Sequence, residues 1–207
     1  MLILHVSNNL EKGKHMTDKN ADKRVLTPEF RVSFPSVFKP YSYEGQPAKF
    51  VITMLFNKKV DITALKKAAF AAATEKFGPK EKWPKNLMLP FSDGDEKSDL
   101  DGYPGNIIVK ASSKNRPGVV DSKKQPITEE DGTFFAGCYA RATLSAFSWS
   151  KMGKNGVSFG LQNIQKIRDG EPFGSRRSAD ADFDEIEDSN FDGGGKEAES
   201  DELELGF

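Results

Sequence analysis

The stretch from Phe134 to Trp149 holds the residues best arranged to do chemistry, because two alternating sets run through it. Ala136, Cys138, Ala140, Ala142, Leu144 and Ala146 are small and apolar. Phe135, Gly137, Tyr139, Arg141, Thr143, Ser145, Phe147 and Trp149 form the other set. Successive side chains of a strand point to opposite faces. The first set therefore suits the interior of a tight barrel, and the second puts aromatics and an arginine on the opposite face. Exposed aromatic faces stack bases and basic groups meet phosphates, the pairing that single-stranded nucleic acid requires. The same pattern also fits aromatics packed under a helix or in a second core.

Basic residues recur near strand ends and in loops: Lys58-Lys59, Lys110, Lys114 with Arg116, Lys123-Lys124, Lys151 with Lys154, Lys166 with Arg168, and Arg176-Arg177. Any one pair is ordinary solvated surface. Their sum is not ordinary. The chain has 30 Lys+Arg and 31 Asp+Glu, but residues 180–207 hold 12 of the acids and a single base, Lys196. The body is therefore +10 and the tail −11, an asymmetry that points to nucleic acid and to an interaction tail.

The tail opens Asp180-Ala181-Asp182-Phe183-Asp184 and ends Asp201-Glu202-Leu203-Glu204-Leu205-Gly206-Phe207. Low hydrophobicity and charge of one sign predict disorder. Pure solubilisation does not account for Leu203, Leu205 and Phe207 at the extreme end. An acidic peptide with a terminal aromatic suits capture by a basic-rimmed apolar pocket, or by the chain's own basic groove.

The elements that must position these residues are mostly strands. Phe30, Val32 and Phe34 alternate with Arg31 and Ser33, a strand signal cut by Pro35. Phe50, Ile52, Met54 and Phe56 share one face of a second strand. Ile62, Leu65, Ala69 and Ala72 recur at helical spacing over about 62–77, with Asp61 as cap and Gly78-Pro79 as stop. Residues 79–105 read as loop, and 106–112 and 156–168 as strands. Val119-Val120 is a short apolar pair. Five strand signals and one helix predict an OB-fold-like five-stranded barrel, mainly β. The expected division is a leader over 1–23, a DNA-binding domain over 24–179 and a disordered acidic tail over 180–207. Residues 1–15 read as a dispensable extension, because Met16 opens a polar leader behind Glu11-Lys12-Gly13-Lys14, whose codons are purine-rich.

Other chemistries fit poorly. Cys138 is the one cysteine, which excludes an intrachain disulfide and reads as a small buried hydrophobe. With two histidines, both before residue 16, the usual zinc sets and histidine acid–base work are not supplied. Gly193-Gly194-Gly195-Lys196 lacks the spacing and hydroxyl of a phosphate loop. Asp93, Asp95, Asp99 and Asp101 resemble a calcium loop, but aligning Gly102 with its glycine puts Lys97 first and Ile108 twelfth, so the motif fails. No apolar run approaches the ~20 residues of a membrane span, and the opening residues make a poor signal peptide. The reading is a soluble cytosolic protein with no enzyme activity, cofactor or metal. A scaffold that uses its tail without binding DNA is the alternative, and a metal-dependent nuclease a more distant one.

Several strings resemble a bacteriophage family of single-stranded-DNA-binding proteins, formerly a domain of unknown function. They are Arg31-Val32-Ser33-Phe34-Pro35, Tyr43-Glu44-Gly45, Arg116-Pro117-Gly118-Val119-Val120-Asp121, Ala136-Gly137-Cys138-Tyr139-Ala140-Arg141-Ala142 and Gly156-Val157-Ser158-Phe159-Gly160-Leu161-Gln162-Asn163-Ile164-Gln165. They stand in one order over about residues 24–183. The architecture is also similar to podophage single-stranded-DNA-binding proteins with an acidic tail ending in Phe. The resemblance implies an OB-fold, service in phage replication or recombination, and the cytoplasm of an infected bacterial host. One departure concerns topology: the common OB-fold places its helix between strands three and four, and here it follows the second strand signal. The candidate DNA-binding residues are Arg31, Phe34, Lys58, Lys59, Lys110, Lys114, Arg116, Phe135, Tyr139, Arg141, Phe147, Trp149, Lys151, Lys166 and Arg168. Asp201, Glu202, Leu203, Glu204, Leu205 and Phe207 are the candidates for recruiting phage or host replication and recombination proteins. A homo-oligomer is compatible with the sequence.

Overall fold

The computed structural model describes residues 24–174. The expected leader, the acidic tail and Arg176-Arg177 lie outside the described residues. Among the described residues, eight strands run in chain order: β1 (Arg24–Leu26), β2 (Phe30–Tyr41), β3 (Lys49–Asn57), β4 (Ser92–Asp93), β5 (Asn106–Ser113), β6 (Gly118–Val120), β7 (Tyr139–Lys151) and β8 (Lys154–Arg168). An α-helix, α1 (Thr63–Phe77), stands between β3 and β4.

Five of the strands close a ring in the order β2-β3-β5-β8-β7 and back to β2. All neighbours are antiparallel except β5 and β8, which run parallel. Numbered within the ring, the order is 1-2-3-5-4, the strand order of an OB-fold barrel. The short strands add to it: β1 pairs with β7 and β6 with β8. The helix follows the second ring strand, as its position in the sequence required.

The ring forms because alternate residues of each strand are apolar. Ile52, Met54 and Phe56 of β3, Val109 and Ala111 of β5, Leu144 of β7 and Phe159 and Leu161 of β8 are all buried in one core with Phe30 and Val32. Leu65, Ala69, Ala72 and Ala73 put α1 into the same core, and Ser148 of β7 donates its hydroxyl to the Ala72 carbonyl at 2.8 Å. Asp61 accepts the Thr63 N–H at 2.8 Å at the start of α1. Gly78, at φ 82°, donates its N–H to the Thr74 carbonyl at the end, a backbone turn that glycine adopts without steric cost.

Two expectations about strand ends change. Pro35 does not cut β2, which continues to Tyr41 with register shifts on both sides of Ser36. A bulge frees the proline from the ladder bond it cannot donate. At the other end, β7 starts at Tyr139 rather than Phe134. Gly137 turns there at φ 112°, and a Cβ on it would lie 2.1 Å from the Glu171 carbonyl oxygen.

Candidate nucleic-acid interface

Between the inward residues of the ring, the outward ones form two rows across β3, β5, β8 and β7. Thr53 faces Lys110, the parallel register sets Lys110 beside Ser158, and Ser158 faces Phe147. In the next row Val51 faces Ser112, Ser112 faces Gly160 and Gly160 faces Ser145. The floor is made of small residues, and the large side chains stand at its β7 margin. Phe147 is 46% exposed. Trp149 is half-buried, with its indole crossing Gly156: a Cβ at that glycine would lie 2.5 Å from the Trp149 ring. Its Nε1 donates to Ser158 Oγ at 2.9 Å, which fixes the ring's orientation.

A groove of about 250 Å³ opens beside this indole, lined in part by Met88, Leu89, Lys97, Lys110, Trp149 and Ser158. Partial burial, and then the nearby charge of Lys97, push the Lys110 ammonium below its usual range. Neither lysine has a side-chain hydrogen bond or ion pair among the described residues. Two cations that share a groove without a carboxylate attract an anion. The adjoining β7–β8 turn has Met152 and Gly153 at φ 49° and 75°, the backbone of a type I′ hairpin. Met152 is 90% exposed at its tip, between the exposed Lys151 and Lys154.

A second cationic–aromatic cluster sits at the start of β7. Arg168 stacks on Tyr139 with its guanidinium carbon 3.4 Å from the ring centroid, and pairs with Glu29 at 2.6 Å. Arg31 lies 4.1 Å from the Phe173 centroid and donates to the carbonyls of Gly137 at 3.2 Å and Glu171 at 2.6 Å. Lys166 pairs with Asp169 at 2.6 Å and donates to the Thr133 carbonyl, beside the half-buried Phe135. Arg141 donates to Gln165 Oε1 at 2.9 Å. Each of these cations already has a partner inside the fold.

The fifteen candidate DNA residues therefore separate. Lys110, Phe147 and Trp149 share the outer face, with Lys151 at its adjoining turn. Arg31, Phe135, Tyr139, Arg141, Lys166 and Arg168 occupy the internally bonded cluster and its flank. Ten residues separate Tyr139 from Trp149, ~33 Å along a strand, so one alternating face does not make one site. Lys58 is held by Asp93 and Asp95. Lys59 is exposed after β3, while Lys114 and Arg116 are exposed in the turn after β5. Arg116 lies 5.9 Å from the Phe38 centroid. Phe34, 62% exposed at φ 42°, lines a separate pocket with Leu100, Tyr103, Phe173, Asp99 and Asp101. The tail candidates from Asp201 to Phe207 lie outside the described residues.

Lys97, Met88 and Leu89 escaped the sequence reading because they sit in a stretch without periodicity. The floor left a usable signal: Gly156, Ser158 and Gly160 place small residues on alternate positions opposite the aromatics of β7. Three of the four aspartates of the resembling calcium loop have other partners: Asp93 and Asp95 share Lys58, and Asp101 accepts the Gly174 N–H.

Residues 23–192 match a family model described as Enterobacter phage Enc34, ssDNA-binding protein. The chain belongs to this family. A curated relative from Acyrthosiphon pisum secondary endosymbiont phage 1, named putative protein p50, is 35% identical over 162 residues, covering 72% of this chain and 86% of the relative. Among solved structures, the single-stranded DNA-binding protein from bacteriophage Enc34 in complex with ssDNA matches with a TM-score of 0.66 at 22% identity, over 74% of this chain and 90% of that one. The single-stranded DNA-binding protein gp2.5 encoded by bacteriophage T7 matches with a TM-score of 0.54 at 14% identity, over 73% and 94%. At these identities the structures establish the shared fold. This member of the Enc34 family thus carries on one OB-fold barrel two regions of similar composition, one with its cations paired and one with Lys97 and Lys110 unpaired among the described residues.

Proposed function

We propose that this phage protein binds single-stranded DNA without sequence preference across the outer face of β3, β5, β8 and β7. Trp149 and Phe147 stack bases, and Lys110 and Lys97 meet phosphates. The observation that carries the reading is Lys110, unpaired among the described residues, beside the half-buried indole of Trp149, over a floor of Ser112, Ser158 and Gly160. Small floor residues let a base approach the sheet, and an indole anchored on one edge loses little freedom when a base stacks on it. OB-folds bind oligonucleotides on this region of the barrel. Names of the Enc34 protein and of the T7 protein support the same ligand.

The role extends to replication or recombination in the host cytoplasm. There the acidic tail, ending Leu205-Gly206-Phe207, recruits partner proteins and competes with DNA for the basic body. Titration of labelled oligo-dT at several salt concentrations tests the core of this reading. Affinity falls on a log–log plot with a slope of about −0.7 per phosphate neutralised. Absence of binding at low salt leaves the scaffold reading in its place. Deletion of residues 180–207 raises affinity at low salt and abolishes partner capture; unchanged affinity there rules out the competition.

A further inference from the structure

The segment from Ser92 to Gly105 crosses the end of β3 and brings Lys97 to the groove. Lys58 holds it. The Lys58 ammonium lies 2.7 Å from Asp93 Oδ1 and 2.6 Å from Asp95 Oδ2. Each carboxylate also binds backbone: Asp93 Oδ1 accepts the Asp95 N–H at 3.0 Å, and Asp95 Oδ1 accepts the Gly105 N–H at 2.6 Å. The Lys58 N–H donates to the Gly105 carbonyl at 3.1 Å, so both ends of the segment are tied to the strand end. Between them, Gly94 packs so closely that a Cβ would lie 2.0 Å from the Tyr103 carbonyl oxygen.

The electrostatics follow the geometry. Bonding to Asp93 and then Asp95 raises the Lys58 ammonium above its usual range, and bonding to Lys58 lowers both carboxylates. Asp95 stands two residues before Lys97. Without Lys58, the segment that carries Lys97 to the groove would bear two carboxylates stripped of their counter-charge.

We infer that Lys58 serves single-strand binding without touching DNA, by holding Asp93 and Asp95 so that the Lys97–Lys110 pair stays open to phosphate. Lys58 is then a positioning residue, and this rests on the proposed function of the groove. The distinction from a direct phosphate contact is chemical. A direct contact is lost with the lysine whatever its partners are, whereas a neutralising clamp becomes dispensable once its carboxylates lose their charge.

Oligo-dT titrations of the full chain test it with Lys58→Met, the triple variant Lys58→Met/Asp93→Asn/Asp95→Asn, and Lys110→Met. Lys58→Met weakens binding about threefold to tenfold, as a local change of field does. The triple variant returns to within about twofold of wild type, because the two introduced amide oxygens still accept the same backbone N–H groups, at position 95 and at Gly105.

Wild-type affinity in Lys58→Met, or a triple variant that stays as weak as Lys58→Met, overturns the inference. Should Lys58→Met fail to fold, the salt slope of the triple variant decides: unchanged for a clamp, shallower by about 0.7 for a lost phosphate contact. The two readings fail separately. Wild-type binding by Lys110→Met sinks the groove itself, while a weakened Lys110→Met with no rescue in the triple variant sinks only the clamp.

Discussion

Two regions of this barrel are built from the same materials and differ in what their cations face. At the start of β7, Arg31 and Lys166 meet carbonyls, Lys166 and Arg168 meet a carboxylate each, and the three lie against the rings of Phe173, Phe135 and Tyr139. Around the Trp149 groove, Lys97 and Lys110 face each other's charge. The first region uses its charges to hold segments together, because Arg31 ties the chain near Glu171 to the barrel and Arg168 ties down Glu29. The second leaves its two lysines without a side-chain partner among the described residues. Composition alone describes a basic aromatic surface in both places. Whether such a surface binds or braces depends on where its counter-charges lie.

The largest effect that separates the regions is expected at Trp149. Trp149→Ala costs about 1–3 kcal/mol of single-strand affinity, the range for one stacked base, measured by anisotropy titration. A loss of thermal stability with unchanged affinity would assign the indole to the core instead.

Arg31→Met tests the braced region. Loss of its two carbonyl bonds costs about 1–2 kcal/mol of stability, read in urea melts, and leaves oligo-dT affinity near wild type. A variant that melts normally but binds poorly would move Arg31 to the DNA surface and erase the contrast.

Lys110→Met sharpens it from the other side, with a loss in one assay and none in the other. Its ammonium is held below the usual range by burial and by Lys97. The charged form is therefore disfavoured in the folded state relative to the unfolded chain, and removing it does not lower the melting temperature at neutral pH. Affinity falls a few-fold and the salt slope becomes shallower by about 0.7. In the wild type, the contribution of Lys110 to binding fades at a lower pH than an ordinary lysine would give. A lowered melting temperature in Lys110→Met would show that this lysine braces the fold as Arg31 does.

The smallest effect belongs to the turn beside the groove. Met152→Asn relieves a positive φ that asparagine tolerates better, adding about 0.5 kcal/mol of stability. A thermal melt that does not rise would show that the exposed methionine packs more than its surroundings indicate.

Legibility followed the range of the interactions. Cys138, Ala140, Ala142 and Leu144 are buried as their alternation required, while Ala136 and Ala146, at the ends of that set, are half-buried. The other set, read as one face, spans both regions, since alternation fixes the side of a strand and not the position along it. Val119-Val120 was seen as an apolar pair, and only its parallel register with Ile164 and Gln165 makes it a strand. Lys97 carried no signal, because its place beside Lys110 depends on a loop pinned from Lys58.

By itself the sequence determined the inward faces of β3, β5 and β8, the span of the helix and the charge division near residue 179, since these rest on local periodicity and composition; in β2 it failed at Phe34, which the break in register before Ser36 turns outward. The tertiary structure alone decided which cations have partners. Arg31 meets a carbonyl 106 residues away and Arg168 a carboxylate 139 residues away. No local pattern encodes such pairs. Closing the ring brings them together, and the same closure leaves Lys97 and Lys110 without a paired carboxylate among the described residues.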